Sequence, residues 1–164
     1  MYQPIYVANT IIHIAKKQKI KLTETKLQSL MYLLYAEYMR TTYKKLYPAR
    51  FYPGTNGPTI QSISNMLQKY RDKPIKKLIR DPMGKKKMAN IDMMTTNNPE
   101  FIRAFHDVWS MYAKQTDDQL TRQLTRFTSA WYITKLKHTY FIRNTDILSE
   151  AKYLKQKNKQ HSNF

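Results

Sequence analysis

From Glu24 to Tyr43, the residues Leu27, Leu30, Met31, Leu34 and Tyr38 recur at intervals of three and four. That spacing sets them on one broad stripe of an α-helix, and a stripe this wide has to be covered by other elements. The segment therefore predicts a helix at the centre of a core. Thr23 stands where an N-cap belongs, with Glu24 in the first turn. The chain has only 3 Gly in 164 residues, which disfavours barrels, glycine-rich phosphate loops and turn-dense β folds. Apolar residues at 41% and aromatic residues at 13% suffice to fill a core and argue against global disorder.

Other segments extend the helical reading. Ile5 to Lys19 places Ala8, Ile11, Ile12 and Ala15 at helical spacing and ends in Lys16, Lys17 and Lys19, cations that suit the helix dipole. Three Pro and two Gly between Leu46 and Pro58 cannot continue a helix. Phe51 and Tyr52 point to an ordered loop there. Pro58 reads as the start of the next helix, which runs through Ile60, Ile63, Met66, Leu67 and Tyr70 to Arg71. Asn98-Pro99-Glu100 opens a further helix carrying Phe101, Phe105, Val108, Trp109 and Tyr112. Thr116-Asp117-Asp118-Gln119 matches a capping box for a short helix through Leu124. Trp131 to Ile142 is β-branched and aromatic and fits either class. Thr145 or Asn144 caps a last helix with Ile147, Ala151 and Leu154 on one face.

The expected fold is mainly α: a compact single-domain bundle of about five to six helices, with room for a short β-hairpin in 71–96. The domain spans 1–154 and includes a basic, insertion-like loop at 71–90. Residues 155–164 read as a frayed polar tail.

Several chemistries are excluded or disfavoured. With no Cys, disulfides, thiolate metal sites and Cys nucleophiles are out. His13, His106, His138 and His161 stand far apart, so neither a metal site nor a cofactor is expected. Asp117-Asp118 could be paired carboxylates for acid–base work, but at a helix start they read as capping residues. No run approaches the ~18 apolar residues of a membrane span, and Met1-Tyr2-Gln3-Pro4 lacks the charged region of a secretory signal. The expectation is a cytoplasmic protein without membrane contact and without enzymatic activity.

Charge is the outlier. Lys plus Arg number 29 against 11 Asp plus Glu, a formal net charge of +18. Such a field attracts nucleic acid, anionic membrane or an acidic protein, although an AT-rich genome would also enrich Lys. The densest run contains Lys73, Lys76, Lys77, Arg80, Lys85, Lys86 and Lys87, the best candidate contact surface for a partner or for phosphates. If it grips duplex phosphates, log affinity should fall with log salt at about −0.9 per contact. Tyr70 is the one nearby aromatic for stacking, so base-specific reading is not indicated at this run.

Leu22-Thr23 followed by Lys26-Leu27-Gln28-Ser29-Leu30-Met31-Tyr32 resembles the "LT..KLQKLLYF" core of the Panacea domain family, the SocA-like or GepA-like group. Asn56-Gly57-Pro58-Thr59-Ile60 is similar to that family's "YGPVV". Val108-Trp109-Ser110-Met111-Tyr112, Gln119-Leu120, Leu124-Thr125 and Trp131 resemble its closing motifs. The likeness runs from about Tyr6 to Leu154. It departs where the family's His after Leu-Thr is Arg126, where the tyrosine of "YGP" is Asn56, and in the basic 71–88 segment. Relatives in the family include antitoxins, a proteolytic adaptor and proteins of phages and other mobile elements.

The resemblance implies a non-enzymatic module that binds a protein partner, a toxin or a host protein, in a bacterial cell. The alternative is a basic phage inhibitor that binds nucleic acid or a ribonucleoprotein of a host defence complex, anti-CRISPR-like. Among the motif positions, Leu27 is core, while Lys26 and Gln28 are expected to be solvated unless a partner covers them. Asn56, Gly57 and Pro58 define a turn, and Trp109 and Trp131 are expected in the core.

Overall fold

The computed structural model describes residues 1–80 and 91–163. These form seven helices and one two-stranded antiparallel hairpin: α1 (Pro4–Lys17), α2 (Glu24–Thr42), β1 (Tyr52–Gly54), β2 (Gly57–Thr59), α3 (Gln61–Leu67), α4 (Pro99–Tyr112), α5 (Asp117–Leu124), α6 (Ala130–Leu136) and α7 (Asn144–Ser162). The architecture is the mainly α bundle expected, with seven helices rather than five or six. None of the described helices is long and apolar enough to cross a membrane.

Helix α2 is the axis of the molecule. Every residue from Lys26 to Ala36 is buried, because α1, α4, α5, α7 and β2 all pack on it. A helix covered on all sides is the natural core of a bundle. Thr23 caps it, its side chain accepting from the Lys26 N–H. One end of the core is aromatic. Tyr32 meets the Phe51 ring edge-on at 5.1 Å, and Tyr35 and Tyr47 complete the cluster. The Tyr47 hydroxyl is satisfied by the Met31 carbonyl at 2.8 Å. Phe51 thus anchors the Pro-rich stretch, as its sequence suggested.

The hairpin lies at Tyr52–Thr59, with Tyr52 opposite Thr59 and Gly54 opposite Gly57. The described residues of 71–96 carry no strand. Pro58 sits in β2 and not at a helix start: Gly57 turns the chain at φ +133°, and Pro58 opposite Pro53 needs no ladder donor in a two-stranded edge. Helix α3 begins three residues later, at Gln61. Asn98 caps α4, and Thr116 with Gln119 forms the full capping box of α5. Of the aromatic stretch from Trp131 to Ile142, the part to Leu136 belongs to helix α6, capped by the Ser129 side chain, and the rest is irregular. Neither Asn144 nor Thr145 occupies the cap of α7; Arg143 does, without a side-chain cap bond. Residues 155–162, expected as a frayed tail, continue α7, whose Lys155 and Asn158 bond back to the bundle.

Candidate partner-binding surfaces

Four of the motif positions, Gln28, Asn56, Gly57 and Trp131, meet around the hairpin. Gln28 is 4% exposed; its Nε2 donates to the Ile60 carbonyl at 3.2 Å and its Oε1 accepts the Ile60 N–H at 3.0 Å. The amide thereby acts as a one-residue strand, closing the backbone where β2 hands over to α3. Asn56, exposed at the hairpin turn, reaches Thr25 on α2 at 3.4 Å. Gly57 packs against α5, where an added Cβ would stand 3.8 Å from Leu124. From the far side, the Trp131 indole N–H donates to the Gly54 carbonyl at 2.7 Å.

Lys26 and Gln28 are therefore buried, not solvated. The reason is that α2 is enclosed, so residues on its outer arc need internal partners. Lys26 Nζ finds the Ala113 carbonyl at 3.2 Å. Burial holds its ammonium below the ordinary lysine range, and the nearby Asp117 partly opposes that shift. Asp117 also accepts from the Thr23 hydroxyl at 2.6 Å, tying the starts of α2 and α5 together. Thr116 and not Asp117 caps α5; Asp117 and Asp118 lie in its first turn, where acids suit the helix dipole. Trp109 and Trp131 are half-buried, not core. Trp109 stacks on Phe105 at 5.6 Å and donates to Gln18.

Arg126 joins a second buried group. Glu150 on α7 is 4% exposed; it accepts the Ala130 N–H and faces the Arg126 guanidinium at 3.5 Å. Burial pushes its carboxyl above the usual range, against the pull of the Ala130 N–H and Arg126. Arg126 in turn lies over the Tyr153 ring at 4.6 Å. Sequence patterning had no signal for Glu150, a lone acid on the inner face of an otherwise polar helix.

The basic segment divides. Lys73, Lys76, Lys77 and Arg80 are exposed, while Lys85, Lys86 and Lys87 lie outside the described residues. The segment is pinned. Ile75 N–H donates to the Leu22 carbonyl at 2.7 Å, and the buried Asn9 side chain holds both Ile79 N–H and C=O, at 2.8 and 3.1 Å. The next residue on α1, Thr10, accepts the Ile91 N–H at 2.8 Å. With Ile75 and Ile79 buried, Lys76 and Lys77 are turned outward.

Two depressions stand out among the described residues. One, about 230 Å³, is polar and lies between α2 and the hairpin, with Glu24, Gln28, Tyr52, Asn56, Arg71 and Asp72 among its walls. The other is a groove of about 340 Å³ between α2, α4 and α7. Leu33, Ala36, Val108, Met111 and Leu154 supply its apolar walls, and Met111 is 42% exposed. Its rim is charged. Lys155 Nζ stands 3.7 Å from Glu37 and 3.6 Å from Asp107, and Arg40 pairs with Glu37 at 2.7 Å. Sequence reading missed this groove because it is shaped by the part of α7 expected to be frayed. Among the described residues, no three His, Cys, Asp or Glu side chains converge on a point that could hold a metal ion.

Comparison with known proteins found no matching family, no similar curated protein and no similar solved structure.

Proposed function

We propose that this chain is a Panacea-like, non-enzymatic binding module that neutralises or regulates a partner protein by stoichiometric contact, as an antitoxin or adaptor does. The observation that carries the reading is the groove between α2, α4 and α7, apolar at its floor and charged at its rim. Amphipathic helical segments are recognised in grooves of this kind, through apolar anchors spaced along one face. The exposed Met111 suits such a surface, because a flexible thioether adapts to the anchor it meets.

Two further features support it. The motif positions Gln28, Asn56, Gly57 and Trp131 cooperate in one frame around the hairpin, which is how a family signature behaves when it specifies a scaffold. Two acids are engaged in structure, Asp117 with Thr23 and Glu150 with Ala130 and Arg126. The exposed Lys73, Lys76, Lys77 and Arg80 then steer the module toward an acidic partner.

The test is capture from a low-GC bacterial lysate at moderate salt, with the wild-type chain beside Met111→Glu. One protein retained by the wild type and lost with the variant is expected. Recovery of no protein, or equal recovery by both, would count against the proposal.

A further inference from the structure

Helix α6 and its two flanking turns carry a surface the groove does not use. Between Asp118 and Asp146 there is no acidic residue, and Arg122, Lys135 and Lys137 fall in this interval with five aromatic residues; its two other basic side chains are paired, Arg126 with Glu150 and Arg143 with Asp146. Much of this aromatic area faces solvent: Phe127 is 73% exposed and Tyr140 75%, and the aliphatic Leu136 is 66% exposed. The rings are grouped. Phe127 packs on Tyr132 at 4.9 Å and Tyr140 on Phe141 at 4.6 Å. Cations lie over the neighbouring faces, Lys135 above Trp131 and Arg50 above Phe141, each at 5.2 Å. Ala130 and Thr134 are the buried positions of α6, which leaves Tyr132, Lys135 and Leu136 on its outward side, with Trp131 half-buried on its flank against Gly54.

Phe127 stands beside an unusual backbone conformation. Thr128, the next residue, has φ +69°, and a β-branched residue in that region is a true outlier. Held strain of this type is concentrated at functional sites. His138, just ahead of Tyr140, has φ 54° as the left-handed residue that closes α6, its N–H donating to the Lys135 carbonyl.

We infer that this surface binds single-stranded nucleic acid, RNA or DNA. Unpaired bases offer flat π faces that stack on exposed aromatics, while interleaved cations track the phosphates. Duplex DNA hides those faces inside its own stack and would leave the rings unused. A membrane fits less well, because α6 has seven residues and interfacial helices need a long apolar face. The surface shares no lining residue with the α2–α4–α7 groove, so it can act whether or not a protein occupies that groove.

The experiment is fluorescence anisotropy of labelled oligo(dT), oligo(U) and a duplex of equal length, titrated with the full chain. Phe127→Ala and Tyr140→Ala remove exposed rings and should fold normally, as circular dichroism will verify. Single strands should bind more tightly than duplex. Each substitution should weaken single-strand binding about 5- to 150-fold and leave the weaker duplex binding in place. Met111→Glu should change neither, which keeps this test separate from that of the groove. Equal affinity for duplex and single strand, unchanged binding by both variants, or tighter binding to phosphatidylserine vesicles or polyglutamate than to oligonucleotide would each overturn the inference.

Discussion

Gln28 satisfies two buried backbone groups at once, and its truncation leaves both without partners. Each orphaned group costs about 1–3 kcal/mol, so Gln28→Ala should destabilise the fold by about 3 kcal/mol, measured by urea unfolding. A loss near zero would mean that the Ile60 backbone finds other partners. Gly57 is the second sensitive residue. Space is available there, but φ +133° is closed to side chains, so Gly57→Ala should cost about 1–3 kcal/mol through backbone strain alone. Glu150 gives a pH signature. Its carboxyl is raised in the folded chain by burial, so the folded state holds its proton more tightly than the unfolded state. This group's contribution to stability is greatest below the ordinary carboxyl range and declines as pH rises to the raised value. Unfolding measured across that interval should show a shallower fall for Glu150→Gln than for the wild type.

At the scale of elements, the periodic helices were legible and the anchored irregular parts were not. Helix α2 could be read because its stripe follows from spacing alone, and α4 and α5 because Asn98, Thr116 and Gln119 cap by local chemistry. The hairpin was missed because Pro53 and Pro58 argue against a strand unless it is an edge, and edge status is a tertiary fact. The end of α7 was missed because Lys155 and Asn158 gain their partners from α2 and α4. The same holds for the basic segment. Asn9 and Thr10 read as two polar residues on an apolar helix, and only the fold shows them clamping Ile79 and Ile91. Asn9→Ala should therefore release the 71–80 stretch. Trypsin cleavage at Lys76 and Lys77 should accelerate several-fold in the variant, and an unchanged rate there would show that Ile75 holds the stretch alone.

For the whole molecule, a net charge of +18 has two separable consequences. It speeds encounter with any anionic partner, and it supplies local cations where other features decide the ligand. At the groove those features are apolar walls and a rim in which Lys155 is already shared between Glu37 and Asp107. Around α6 they are exposed rings. The candidate groove residues were only partly visible in the sequence: Val108 and Met111 belong to a motif, while Leu33, Ala36 and Leu154 become a wall only once three helices meet. The central claim is stoichiometric protein binding through that groove. Native mass spectrometry of the captured complex tests it most directly, with the wild-type chain compared against Met111→Glu. A complex of fixed small-integer stoichiometry that survives moderate salt and disappears with the variant is the predicted result. A charge-driven distribution of many species, unaffected by Met111→Glu and dispersed by salt, would contradict it.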